Sequence, residues 1–398
     1  MSFEQSKIAV QSRRWLSPGA WMSLGYWCYF GAVGFFFPYI SLHYHNLGLS
    51  GQQIGLISAL GPFATALLAP VWGMIADLYN AHRLVLRLAL APVVIVIVLL
   101  AQVTSYTAIL ILILVHSILL APAMPFMDGY GVAISERYKL SFGQLRFWGT
   151  VGFIMGVFAI GQWMGGQLTP SFLYAYAGGM FVTFLVTFGL PALEINTARP
   201  DWVDALGLLR QPAMAVLIAT SWLVAIGFAT FNTFFSIYLA ELNGASLIGA
   251  ANMALAASEL PVLFYSNQLV AKLGIKRMLM IGAFAYALRF ALLSIAPSAA
   301  WVIPIQLTHT FSFTFYMLAS VRMAHQLGGR ELAATAQSLL ASANALGSIT
   351  GSLVGGILLD RIGVFLVFRL ASVMSIVALL VFWVGMRWAE ARSQRQKA

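Results

Sequence analysis

The chain has 398 residues, of which 61% are hydrophobic and only 9% charged, and its net charge is +10. Such a composition lies outside the range of soluble domains and implies lipid as the solvent. The basic balance would suit nucleic acid, but Lys and Arg gather in short polar junctions between apolar stretches, which is the distribution of a membrane protein. The single cysteine, Cys28, excludes an intramolecular disulfide and a multi-cysteine metal site.

A helix needs roughly 20 apolar residues to cross about 30 Å of hydrocarbon. Twelve candidate spans follow in chain order: 19–43, 51–76, 84–102, 106–127, 144–166, 171–192, 213–239, 246–270, 277–296, 300–321, 333–358 and 364–388. The runs stay apolar for too long to be barrel strands, which alternate over about 10 residues. The first follows Lys7, Arg13 and Arg14 as a signal peptide would, but it exceeds a typical signal core and is expected to be retained. Arg83, Arg87, Arg137, Lys139, Arg199, Arg210, Lys272, Lys276, Arg277, Arg322 and Arg330 fall in the even-numbered junctions, and Arg387, Arg392, Arg395 and Lys397 in the tail. The opposite side offers Arg361 and Arg369, so the positive-inside rule places both termini in the cytoplasm.

The longest polar interruption, with Arg199, Pro200, Asp201, Asp204 and Arg210, divides the chain. The expected organisation is an N-terminal six-helix bundle (1–193), a cytoplasmic loop (194–212) and a C-terminal six-helix bundle with a short cytoplasmic tail (213–398). Ile54-Gly55 recurs as Ile248-Gly249 and Arg83 as Arg277, both displaced by 194 residues, and Phe36-Phe37 is echoed by Phe234-Phe235. Such an ordered repeat favours duplication with parallel topology. Gly347, Gly351 and Gly355, and likewise Gly149, Gly152 and Gly156, place small residues on one helix face, where backbones approach closely.

Against this apolar background Asp128, Arg146, Glu259, Arg289 and His309 lie within or at the margins of spans. A charge there costs at least about 2.5–3.5 kcal/mol on insertion scales, so it usually faces a partner, a cavity or a substrate path. Asp128 and Arg146 stand on consecutive antiparallel spans and can meet as a carboxylate and its guanidinium fork. A structural ion pair and a substrate clamp are both open readings, with Trp148 as a stacking face beside a ligand. Arg289 moving towards or away from Glu259 switches proton affinity, and His309 titrates near physiological pH or simply packs. His43 and His45 read as interfacial, and with His116 and His325 they form no metal constellation. No phosphate-binding Walker sequence is present, so no metal or other cofactor is expected.

The segment from Gly73 through Asp77 to Arg83 resembles the cytoplasmic latch motif of the major facilitator superfamily, with Leu78 and Ala81 departing from it. Phe142-Gly143-Gln144-Leu145-Arg146-Phe147-Trp148-Gly149 resembles the start of the fifth helix in lactose-permease-like transporters, closest to their phenylpropionate-permease branch. Asp128, 18 residues earlier, stands where the family pairs an acid with that arginine beside the substrate. Glu259, Arg289 and His309 resemble its eighth-, ninth- and tenth-helix carboxylate, arginine and histidine. Ser312 stands where lactose permease carries its proton-bearing carboxylate, Gln306 replaces a lysine, and Asn232 falls in a region of acids.

The resemblance implies an all-α membrane protein of twelve transmembrane helices, two six-helix bundles related by a pseudo-two-fold. The expected function is secondary transport of a small organic solute, an aryl carboxylate or a sugar or nucleoside, by proton symport and alternating access. Asp128, Arg146 and Trp148 would bind substrate, Glu259, Arg289 and His309 would couple protons, and Gly73, Asp77 and Arg83 would gate the cytoplasmic side. Expected partners are a small-molecule substrate, protons and membrane lipids, without nucleic acid, for a monomer in the inner membrane. The alternatives are a membrane-embedded enzyme, for which no adjacent nucleophile is seen, and a non-transporting sensor.

Overall fold

The computed structural model describes residues 16–79, 81–165, 167–191, 202–329 and 331–397, and among these the regular structure is helical throughout. Lys7, Arg13, Arg14, Arg199, Pro200, Asp201 and Arg330, assigned places above, lie outside the described residues. In chain order the helices are α1 (Pro18–Phe36), α2 (Ile40–Asn46), α3 (Gly51–Leu78), α4 (His82–Leu100), α5 (Tyr106–Leu120), α6 (Ala123–Tyr138), α7 (Phe142–Met164) and α8 (Ser171–Val186). There follow α9 (Trp202–Leu209), α10 (Pro212–Glu241), α11 (Ile248–Phe264), α12 (Ser266–Leu273), α13 (Ile275–Ser294), α14 (Val302–Leu307), α15 (Phe315–Gly328) and α16 (Ala333–Lys397). A π-helical turn, Thr310–Thr314, separates α14 from α15.

Helix starts follow local chemistry. Ser17 accepts a hydrogen bond from the Ala20 amide ahead of Pro18, and Ser50 and Gln53 form a reciprocal capping box at α3. The stretch 194–212, expected as loop, contains the α9 turns, because Trp202–Leu209 is apolar enough to pack as a helix. Eight described helices are long and apolar enough to cross a membrane. One of them, Ala333–Arg392, has 60 residues. At 1.5 Å per residue that is about 90 Å, far beyond the hydrocarbon thickness. Gly363 breaks it, at φ 74°, a backbone conformation that only glycine adopts without strain.

Glycine stripes set the packing within each half of the chain. A Cβ on Gly152 or Gly156 of α7 would collide with the carbonyl oxygens of Trp27 and Gly31 on α1, and one on Gly351 of α16 with that of Ile226 on α10. The backbones therefore touch directly, which lipid-embedded helices achieve with small residues.

The two halves of the chain meet at one end. There a Cβ on Gly55 of α3 would strike the Ser352 carbonyl of α16, and Gly249 of α11 faces Gly161 of α7 with the Tyr39 hydroxyl beside both. The repeated Ile-Gly pair thus marks both seals, with Ile54 and Ile248 fully buried. Asp360 bolts the first seal, since its Oδ1 and Oδ2 accept hydrogen bonds from the Gly51 and Gln52 amides at 2.6 and 2.9 Å. A carboxylate at a helix N-terminus also meets the positive end of the helix dipole. Further along α3, a Cβ on Gly61 or Gly73 meets nothing within 4 Å, so the halves part towards the other end. Gly19 beside Leu140 and Leu145, and Gly385 beside Val216, place the start of α1 and the end of α16 at that open end.

Gly156→Val is expected to destabilise the protein by at least about 1–3 kcal/mol through overpacking, whereas Gly61→Ala leaves it unchanged; thermal unfolding in detergent measures both. Asp360→Ala removes two charge-assisted bonds worth about 1.5–3 kcal/mol each and is expected to open the seal. The readout is faster maleimide labelling of Ser352→Cys, buried at that seal, in a Cys28→Ser background.

Candidate functional site

Two polar clusters lie on the open side of the seals, one in each half of the chain. In the first, α6 presents Asp128, α7 presents Arg146 and α1 presents Tyr26. The Tyr26 hydroxyl donates to Asp128 Oδ1 at 2.8 Å, with the Met127 carbonyl 3.2 Å away as the alternative acceptor for its one proton. Arg146 Nε stands 3.7 Å from Asp128 Oδ1, so the pair is a loose contact and not a bidentate fork. The guanidinium instead lies over the Phe30 ring at 4.0 Å, with Tyr26 at 5.3 Å. Gly149, one turn beyond Arg146, leaves room for this stack, since a Cβ there would come within 2.8 Å of Phe30. The Arg146 and Asp128 side chains are 32% and 42% exposed, which turns them towards the space between the halves. Trp148, expected beside the ligand, is itself exposed and lies edge-on to Phe147. The aromatic faces that meet Arg146 are Phe30 and Tyr26.

The second cluster is tighter. Arg289 of α13 is fully buried, and its Nε and Nη2 donate to Gln306 Oε1 at 3.1 and 2.5 Å. Its Nη1 lies 2.8 Å from His309 Nδ1, and His309 Nε2 lies 3.2 Å from Glu259 Oε1. A guanidinium only donates, so Nδ1 must accept, and the imidazole is neutral with its proton on Nε2, directed at the Glu259 carboxylate. Arg289 thereby reaches its countercharge through an imidazole. Phe231 covers the guanidinium at 4.3 Å, and His309 stacks between Phe313 at 5.1 Å and Phe228 at 6.2 Å. The π-helical turn begins directly after His309, and insertions of this kind concentrate at functional sites. Ser312 is buried in that turn and returns its hydroxyl to the His309 carbonyl at 2.8 Å. Asn232, exposed, follows Phe228 by one turn of α10.

Glu259 of the second cluster has both Arg289 of its own half and Arg146 of the other among the charges around it. The residues of the resembled latch have separate partners. Asp77 Oδ1 is 2.8 Å from His82 Nε2, Arg83 Nη1 donates to the Leu190 carbonyl at 3.0 Å, and Gly73 faces open space. Tyr26, Phe30, Gln306, Phe228 and Phe313 are the participants that sequence reasoning did not assign. The i, i+4 spacing of Tyr26 with Phe30, and of His309 with Phe313, was the available signal.

Residues 20–370 match the model of the MFS_1 like family. A maltose permease from Geobacillus stearothermophilus is 27% identical over 363 residues, covering 90% of this chain and 92% of that protein. A probable 3-phenylpropionic acid transporter from Escherichia coli strain K12 is 26% identical over 344 residues, covering 82% and 85%. The crystal structure of the nucleoside transporter NupG superposes with a TM-score of 0.81 at 20% identity, covering 93% of this chain and 99% of that one. With a family match across most of its length and permeases among its relatives, the chain belongs to the MFS_1 like family of major facilitator transporters and is a multi-pass membrane transporter rather than an enzyme.

Proposed function

We propose that the protein is a proton-coupled secondary transporter of a small organic solute, working by alternating access. The observation that carries this reading is the hydrogen-bonded chain Arg289–His309–Glu259, whose carboxylate end is partly exposed. In this reading twelve spans form two six-helix bundles, 1–193 and 213–398, joined by 194–212. The protein sits in the inner membrane as a monomer with both termini in the cytoplasm, so that the open end faces inwards. The gathering of Lys and Arg at junctions of that end supports the orientation.

Substrate enters between the bundles and is held by Asp128 and Arg146, whose loose pairing leaves both able to exchange partners. Glu259 binds the proton. While ionised it is the countercharge that Arg289 reaches through His309, and protonation removes that countercharge, which biases the cluster towards a different arrangement. On closure of the inner end, α16 meets the free stretch of α3 around Gly73, with Asp77 and Arg83 at the helix end. The relatives named for maltose, 3-phenylpropionic acid and nucleosides support a small organic solute with polar groups, which Asp128, Arg146 and the Phe30, Phe228 and Phe313 faces would suit.

Glu259→Gln is expected to reduce uphill uptake in proteoliposomes to the level of protein-free vesicles while counterflow exchange continues. Uphill uptake surviving in that variant would sink the assignment of Glu259 as proton carrier.

A further inference from the structure

Beyond the break at Gly363, α16 continues as a helix to Lys397. Leu380, Trp383, Val384, Arg387 and Trp388 on it are exposed, and their spacing of i, i+3, i+4, i+7 and i+8 places them on one stripe. Phe382, Met386 and Ala389, on the other side, are buried. In a membrane protein an exposed apolar stripe of this kind faces lipid, and here its chemistry changes along the axis. Trp383 stands 20 residues, about 30 Å, beyond Gly363, which matches the thickness of the hydrocarbon. Leu380 and Val384 thus lie at the depth of acyl chains, and Trp383 and Trp388 fall where the helix leaves them, the level at which tryptophan is favoured.

Two guanidiniums are fixed at that level. Arg387 lies over the Trp383 ring at 4.1 Å and Arg392 over the Trp388 ring at 5.6 Å, each one turn after its partner. Both guanidinium–tryptophan stacks among the described residues are these two. Stacking occupies the face of a guanidinium and leaves its N–H edge open, and neither arginine donates a hydrogen bond to a described residue or pairs with a described acid. Glu390, between them in sequence, is taken by Lys276 of α13. Other arginines spend their donors inside the protein, Arg83 on the Leu190 carbonyl, Arg87 on the Thr187 carbonyl and Arg322 on Asn267.

The end of the stripe therefore carries two oriented forks with no acceptor in the protein. A phosphate accepts bidentately from such a fork. Arg395, exposed one turn beyond Arg392, adds a third positive charge. With Glu390 already paired, this favours a headgroup of net negative charge over a zwitterionic one.

We infer that this end of α16 is a binding site for an anionic phospholipid, its phosphate held by Arg387 and Arg392 on their tryptophan platforms and its acyl chains lying along Leu380 and Val384. The lipid holds at a fixed depth the part of α16 that packs on Val216 of α10 and Lys276 of α13. Asp128, Arg146 and Glu259 are on other helices, so the site is separate from the two polar clusters.

Native mass spectrometry of the detergent-purified full chain tests this, with dioleoylphosphatidylglycerol, dioleoylphosphatidylcholine and glycerol 3-phosphate as probes. Phosphatidylglycerol is expected to bind at least about five-fold more tightly than phosphatidylcholine, the contribution of one basic residue at an anionic surface. Glycerol 3-phosphate, which has no chains, should not bind over the same concentrations. Arg387→Gln and Arg392→Gln should each weaken phosphatidylglycerol about five-fold, and together about 25-fold, with phosphatidylcholine unaffected. Trp383→Leu with Trp388→Leu keeps the stripe apolar but frees the guanidiniums, and should also weaken phosphatidylglycerol. Arg361→Gln with Arg369→Gln, at the opposite end of the same segment, should leave it unchanged. Thermal unfolding without lipid checks that these exposed substitutions preserve the fold. Equal affinity for the two phospholipids, an equal loss in the Arg361 and Arg369 variant, undiminished binding in the tryptophan variant, or glycerol 3-phosphate binding as tightly as phosphatidylglycerol overturns the inference.

Discussion

A fully buried guanidinium with no carboxylate in contact among the described residues is the constraint around which the C-terminal half is organised. Removing one partner from a buried charged group typically costs about 3–5 kcal/mol, so Arg289 must be satisfied by whatever surrounds it. Gln306 Oε1 takes two of its donors, His309 Nδ1 takes a third, and the Phe231 face covers the plane. The acceptor role dictates the imidazole tautomer, and the tautomer aims an N–H at Glu259. One buried charge thus determines the state of two other residues. His309 serves here as a conductor of polarity between Arg289 and Glu259, and taking up a proton of its own would set an N–H against the guanidinium.

The N-terminal cluster is built on the opposite principle. Asp128 is satisfied by a tyrosine hydroxyl, and Arg146 by the π-face of Phe30, so the acid and the base are neighbours without depending on each other. Their exposure to the gap keeps the cost of separating them low, as for other solvated ion pairs, worth about 0–1 kcal/mol. The substrate-binding role proposed for this cluster calls for that property, because a ligand would have to displace the contacts already present. A tight buried pair at this place would have to be broken at a cost comparable to the affinity gained.

Much of this was legible in the sequence, because membrane solvation is so restrictive. Unbroken apolar runs admit only helices, and the few ionisable residues inside them had to be those with partners, as Asp128, Arg146, Glu259, Arg289 and His309 prove to be. The glycine stripes of α7 and α16 were equally plain, since only close backbone approach explains that spacing. What stayed hidden depended on neutral side chains. Gln306 read as the loss of a lysine when it is the principal acceptor of Arg289, and Phe30 was one aromatic among many in α1. Trp148 was singled out by its nearness in sequence to Arg146, but residues two apart on a helix point to different sides. The π-helical turn after His309 is a backbone event with no distinctive composition, whereas the break at Gly363 falls in the junction expected between the spans 333–358 and 364–388.

The placement of the seals relative to the charges gives the two halves a mechanical connection. Helix α7 carries Gly161 at the seal and Arg146 fifteen residues away, about 22 Å along its axis. Helix α11 carries Gly249 at the same seal and Glu259 ten residues away, about 15 Å along. Both arms extend from the contact towards the open end, so a rotation about the seal of a few degrees changes the separation of Arg146 and Glu259 by ångströms. Coulomb interaction varies inversely with distance and is strong where water is scarce. In the proposed alternating access, the charge state of Glu259 and the angle between α7 and α11 would form one coupled variable, because the Gly161–Gly249 contact lies on the same two helices as Arg146 and Glu259.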